Sequence, residues 1–124
     1  MNYALYLAAL LIFIVGLAHS YLGERYILIR LFRRGDLPKI WGSADLTRQT
    51  LRLAWHITTV AWLGLAAVLL NLAHPPVTTG SLCRIIGVCF LLQFLVSAVG
   101  GRGRHFSWLF FLAIGLLCLY AAQG

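Results

Sequence analysis

Apolar residues dominate this chain in four blocks, and short polar stretches separate them. The first block, about residues 3–22, contains no Asp, Glu, Lys or Arg. The second covers about 53–72, the third about 82–99 with Arg84 as its one charge, and the fourth about 106–122. About 20 residues at ~1.5 Å each match a hydrocarbon core ~30 Å thick. A backbone in hydrocarbon has to satisfy its own N–H and C=O groups, which a helix does and a short open chain does not. The pattern therefore predicts an all-α protein, an integral membrane antiparallel four-helix bundle in a single domain of 124 residues. Thr47 is placed to cap the second helix and Ser107 the fourth.

The connections carry their own signals. Residues 24–32 alternate charge with bulk, with Arg25 and Arg30 set against Tyr26, Ile27, Leu31 and Phe32. This predicts a short amphipathic helical extension after the first span, lying in the interface or lengthening the span. Arg33 and Arg34 complement its C-terminal dipole, Gly35 suits the position after its end, and Asp36-Leu37-Pro38 stops it. Residues 39–46 read as a loop, with Trp41 suited to the headgroup layer. Pro75-Pro76 breaks the second connection, and Gly100-Gly101-Arg102-Gly103-Arg104 forms a tight turn in the third.

Composition reinforces the membrane reading. Hydrophobic residues make up 61% of the chain and charged residues 10%, more apolar surface than a soluble fold of this size can hide. The basic balance points to anionic phospholipid rather than nucleic acid, because the cations flank apolar spans and no nucleic-acid motif accompanies them. Seven of the ten Lys and Arg residues lie from Arg25 to Arg52, and Arg102 and Arg104 sit in the third connection. The positive-inside rule then places loops 23–52 and 100–105 in the cytoplasm, with both termini periplasmic, for a multi-pass protein of a bacterial inner membrane. The start of the chain has no Lys or Arg, so the first span reads as retained rather than as a cleaved signal. Cys83, Cys89 and Cys118 form no CxxC pair and read as buried free thiols.

That orientation gathers polar residues at one depth. His19, His56 and His105 come from three different helices yet share the cytoplasmic leaflet, with Glu24 and Arg52 at its edge. Gly16, His19, Ser20, Gly23 and Glu24 follow helical spacing on one face, and Arg48, Arg52, His56 and Thr59 share a stripe on the next helix. Polar residues in a bundle turn inward, so His19 is expected to face His56, with Glu24 near Arg48 or Arg52. The bland reading is that these histidines bond to backbone, hydroxyls and headgroups. Two facing imidazoles, His19 and His56, would suit a haem iron or, with Glu24 and His105, a transition metal, and a His–Glu pair would relay protons. No HExxH or other dense ligand motif is present, so no cofactor is the primary expectation. Arg25, Arg30, Arg33 and Arg34 are candidate lipid-headgroup contacts, and Arg84 is expected to snorkel to the outer interface.

Two stretches, Ala18-His19-Ser20-Tyr21-Leu22-Gly23-Glu24-Arg25 and Thr50-Leu51-Arg52-Leu53-Ala54-Trp55-His56, together resemble a family of small, uncharacterised four-helix bacterial inner-membrane proteins. The resemblance covers roughly the first half of the chain. It implies the fold and carries no activity. Small size, absent soluble domains and the lack of a dense motif favour a non-enzymatic accessory or interaction subunit, with a membrane-protein partner or further copies of itself. A haem- or metal-binding redox protein and a small oligomeric transporter or channel are the alternatives.

Overall fold

The computed structural model describes residues 2–124, and every regular element in it is a helix. Helix α1 spans Tyr3–Leu22, continues without a break through a π-helical segment, Gly23–Leu28, and ends with α2, Ile29–Leu31. Helix α3 spans Ala44–Ala73, α4 Thr79–Gly100 and α5 Ser107–Ala121. Three rods are long and apolar enough to cross a membrane: Tyr3–Leu31, Ala44–Ala73 and Thr79–Gly100. Helix α5 is also apolar, but its 15 residues reach only ~22 Å.

The ends of the elements follow from local chemistry. Helix α3 begins well before the apolar block. Ser43 is its N-cap and accepts from the Leu46 N–H. The expectation that Thr47 caps this helix is corrected: Thr47 lies inside it, and its hydroxyl donates to the Pro38 carbonyl. The connection before Ser43 is a tight turn in which Ile40 and Ser43 exchange backbone hydrogen bonds. Trp41 and Gly42 take positive φ in it, at 48° and 76°, the geometry of a narrow hairpin turn. Thr78 and Ser81 form a reciprocal capping box at the start of α4. Ser107 does not cap α5; the N-cap position is Phe106, with no side-chain bond, and Ser107 instead meets Ser97.

The amphipathic extension lengthens the first span, and it stops at Leu31 rather than at Gly35. Within its π segment the backbone bonds reach five residues back, as from the Ile29 N–H to the Glu24 carbonyl. At its end the Phe32 carbonyl, which no helical N–H reaches, accepts from Arg48 Nε at 3.1 Å.

The helices pack antiparallel in chain order. Helix α1 lies on α3, α3 on α4 and α4 on α5; among the described residues α1 meets neither α4 nor α5, and α3 does not meet α5. The four therefore form a row rather than closing around a shared centre. Few large side chains are buried: the buried hydrophobic set is Ala9, Leu28, Leu46, Leu53, Ala66 and Ala73. Leu7, Phe13, Leu116, Leu117 and Tyr120 stand on the outside. The α4–α5 seam is tight because Gly87 and Gly115 face each other: a β-carbon on Gly115 would sit 2.7 Å from Leu91 Cδ2 and 3.1 Å from the Gly87 carbonyl oxygen. Small residues at such crossings let backbones approach when apolar surroundings offer no hydrophobic drive between helices.

Candidate functional site

The polar centre lies on the seam between α1 and α3. Glu24 is gripped by the Arg52 guanidinium, with Nη2 2.6 Å from Oε1 and Nε 3.1 Å from Oε2. The same guanidinium lies 4.9 Å from the centre of the Phe32 ring. This two-point pairing is that of a carboxylate, which only accepts. The proton between Glu24 Oε2 and His56 Nε2, 2.9 Å apart, therefore belongs to the ring. In the neutral ring Nδ1 is then the acceptor, and the Ser20 hydroxyl, 2.9 Å away, donates to it. With the Ser20 proton given to that ring, the Thr59 hydroxyl donates to Ser20 Oγ in preference to the Gly16 carbonyl, which is 3.4 Å away. One directed chain results, Thr59 to Ser20 to His56 to Glu24, with Arg52 anchoring its acidic end.

Two features of the sequence build this chain. Ser20 and Glu24 are four residues apart and so present one stripe of the first rod to α3. Gly23, between them, has no side chain because the Trp55 indole fills that space; any β-carbon there would collide with it. The indole Nε1–H donates to the His19 carbonyl at 2.9 Å, which fixes α3 against α1.

His19, His56 and His105 do not form one site. His56 pairs with Ser20 and Glu24 rather than with His19. His19 stacks flat on Trp55, 4.7 Å between centres and 2° from parallel, and packs at 4.9 Å against Trp62. Its Nε2–H donates to the Trp55 carbonyl at 3.3 Å. The physical reason is rotation: His19 and Ser20 are consecutive, about 100° apart around α1, so only one of them meets His56. His105 is in the turn before α5. Because the Thr50 hydroxyl donates to the Leu46 carbonyl at 2.6 Å, His105 Nε2–H donates to Thr50.

Each ring nitrogen that a metal would need at His56 is already in the chain, and the His19 nitrogen facing α3 carries a donated proton. Among the described residues no group of three or more His, Cys, Asp or Glu side chains is arranged to hold a metal ion. Of the two arginines expected near Glu24, Arg52 binds it, while Arg48 pairs with Asp45 at 2.8 Å and reaches Phe32.

The remaining cations lie outward. Arg25 and Arg30 each sit 5.8 Å from the Tyr26 ring centre, Arg33 is exposed, and Arg34 pairs with Asp36 at 2.8 Å. The hydrogen bond from Arg34 holds the exposed Asp36 carboxyl below the ordinary carboxylate range. Arg84 turns toward the start of its own helix, its Nη1 3.6 Å from where a Gly80 β-carbon would be.

Ser20, Thr59 and Trp55 are central here, and histidine-centred sequence reasoning ranks them below His19 and His105. The signal was present for Ser20, which shares the stripe of Glu24. A further contact lies at the opposite end of the seam. The Tyr6 hydroxyl donates to His74 Nε2 at 2.7 Å, and His74 Nδ1–H donates to the Leu70 carbonyl at 2.8 Å.

A hydroxyl, an imidazole base and an orienting carboxylate are the parts that activate a nucleophile or move a proton. Ser20 and His56 open onto a depression of about 460 Å3, lined also by Tyr21, Glu24, Arg25 and Ile29. The backbone N–H groups around Ser20 are inside α1 and bond its own carbonyls, so no pair of free amides is there to hold an oxyanion. The geometry favours proton movement over acyl transfer. No protein-family profile, curated protein or solved structure matches the chain.

Proposed function

We propose that this chain is a four-span protein of the bacterial inner membrane and that its working element is a proton-handling centre, the Ser20–His56–Glu24 chain at the cytoplasmic leaflet. Loops 23–52 and 100–105 are in the cytoplasm and both termini in the periplasm. The charge pattern supports this orientation, since Arg25 to Arg52 and Arg102 with Arg104 fall on one side. The packing of α5 supports a fourth crossing despite its length. Ser107 meets Ser97 at one end, and the Ala122 carbonyl lies against Gly80 at the other, so α5 parallels most of α4. The resemblance of the first half to small four-helix inner-membrane proteins agrees with this placement.

The observation that carries the proton reading is the opposed use of the two His56 nitrogens, Nε2 donating to Glu24 and Nδ1 accepting from Ser20. Imidazole exchanges protons near neutral pH, and a carboxylate on one side with a hydroxyl on the other gives the proton an entry and an exit. Histidine nitrogen NMR in lipid nanodiscs tests it. The neutral His56 ring is expected to carry its proton on Nε2, and Glu24→Gln to relax that preference. A ring protonated on Nδ1 in the native protein would overturn the reading. Orientation is tested separately: in a cysteine-free background, a membrane-impermeant maleimide labels Asn2→Cys from the periplasm and Gly35→Cys from the cytoplasm.

A second reading, an accessory subunit that docks on another membrane protein or on further copies of itself, is favoured by the open row of helices, which leaves α1 and α5 at free edges. Its mass in nanodiscs measures this directly, and a strict monomer without partners counts against it.

A further inference from the structure

One face of the α3–α4 pair carries two neighbouring cavities that share Val96 as a wall. On α3, Gln49, Arg52, Leu53, His56, Val60, Leu63 and Ala67 recur at three- and four-residue steps and so lie along one stripe. On α4 the matching stripe is Ile85, Val88, Leu92 and Val96. The membrane-core cavity is about 500 Å3, walled almost wholly by aliphatic side chains. At the end near the first loop it meets, through the shared Val96, a second cavity of about 310 Å3 with a different character. That cavity is bounded by Arg52, His56 and Gln49 of α3 and by Arg102 from the turn after α4.

We propose that these two cavities together seat one anionic phospholipid of the cytoplasmic leaflet, its phosphate between Arg52 and Arg102 and one acyl chain along Val60, Leu63, Val88, Leu92 and Val96. Charge complementarity supplies the headgroup end. Arg52 spends Nε and Nη2 on Glu24, but among the described residues its Nη1 has no partner. Arg102 makes no ion pair among the described residues. Two guanidinium groups with free N–H donors at one pocket suit a phosphate. Gln49 lines the same pocket beside the two arginines. A headgroup with a net negative phosphate, as in phosphatidylglycerol, meets this demand.

Length supplies the other half. From Ile85 to Val96 the apolar wall rises ~17 Å, about half of a ~30 Å hydrocarbon core, which is the reach of the chains of one leaflet. Both cavities fall within the size range of small-molecule sites, about 300–1,000 Å3. The proposal rests on the membrane placement given above, and it shares Arg52 with the proton chain without needing proton transfer.

Native mass spectrometry of the full chain, released from detergent after exchange with defined lipids, tests this. Phosphatidylglycerol is expected to remain as a single adduct, at least tenfold preferred over phosphatidylcholine with the same acyl chains. Arg102→Gln is expected to reduce that preference to threefold or less, and Ala67→Phe, which fills the apolar wall, to reduce retention at least fivefold with helicity unchanged. The triple change Arg30→Gln, Arg33→Gln and Arg34→Gln, on the outward surface, is expected to keep the adduct. Loss in the triple variant with retention in Arg102→Gln would overturn the site and leave only surface attraction. Equal binding of glycerol 3-phosphate, which has no acyl chain, would overturn the lipid as occupant. Ser20→Ala interrupts the proton chain and is expected to keep the adduct, so failure of the proton reading and failure of the lipid site give different results.

Discussion

The seams α1–α3 and α4–α5 join neighbouring antiparallel helices by opposite means. On α1–α3 the contacts are polar and directional: Glu24 with Arg52 and His56, Ser20 with His56 and Thr59, and Tyr6 with His74 at the far end. On α4–α5 the contact is shape, Gly87 against Gly115, with Phe90 near Phe111 and Phe94 near Trp108 at ring distances of 6.0 and 6.2 Å. One hydroxyl pair, Ser97 with Ser107 at 2.7 Å, is its polar exception. Interhelical hydrogen bonds in membranes average only about 0.6 kcal/mol, so a polar seam is no stronger a fastener than close packing. What it adds is an imidazole held between a carboxylate and a hydroxyl, so the polar side chains are concentrated on α1–α3.

Four substitutions or conditions would break or sharpen this contrast. The largest expected effect is Gly23→Ala. The new methyl meets the Trp55 indole, which has to leave its stack on His19 and its bond to the His19 carbonyl. Overpacking plus a lost hydrogen bond gives about 3 kcal/mol, readable as a lower SDS midpoint of unfolding together with a red-shifted tryptophan emission. Glu24→Ala follows at about 2 kcal/mol, since it strands Arg52 and His56; both side chains keep some solvent contact, which holds the loss below that of a fully buried pair. In the dry seam, Gly115→Ala pushes against Leu91 and the Gly87 carbonyl and costs about 1–2 kcal/mol in the same titration, with no change in the His56 nitrogen signals. If Gly115→Ala moved those signals as far as Glu24→Ala does, the two seams would not be independent.

The smallest effect is a pH dependence in the first loop. The Arg34 bond lowers the Asp36 pKa, so the pair's contribution is present above the ordinary carboxylate value and is lost as pH falls through the lowered one. At about pH 4 the Asp36 carboxyl should therefore be more ionised than an unpaired aspartate, read from its carboxyl resonance, and because both side chains are exposed the unfolding midpoint should not move.

Much of this arrangement was legible in the residues. The block at about 3–22 coincides with α1, Tyr3–Leu22, and the third and fourth blocks match α4 and α5 within a few residues. Hydropathy reports burial in hydrocarbon, not the hydrogen bonding that ends a helix. That is why α3 begins at Ala44, fixed by the Ser43 cap, and not near Leu53. The row-like packing was not legible, because apolar faces that meet lipid and those that meet another helix have the same composition. At the site, helical spacing put Glu24 with Ser20 on one helix and Arg52 with His56 on the next, and across the seam Glu24 bonds both Arg52 and His56 while Ser20 bonds His56. It did not rank Ser20 above its neighbour His19, since both carry polar groups and only the rotation of α1 against α3 separates them.

The π-helical segment at Gly23–Leu28 has an angular consequence. Glu24 and Phe32 are eight residues apart. In an unbroken α-helix, eight steps of about 100° leave two side chains roughly 80° out of phase. A single residue absorbed by a π turn removes about one step and brings the phase difference to roughly 20°. Arg52, one side chain on the facing helix, can then hold the Glu24 carboxylate and lie over the Phe32 ring together. Deleting one residue from that segment would leave seven ordinary steps, again about 20° out of phase, so a plain α-helix would form with the phenylalanine still beside the arginine, whereas inserting a further residue would turn it away by about 100°.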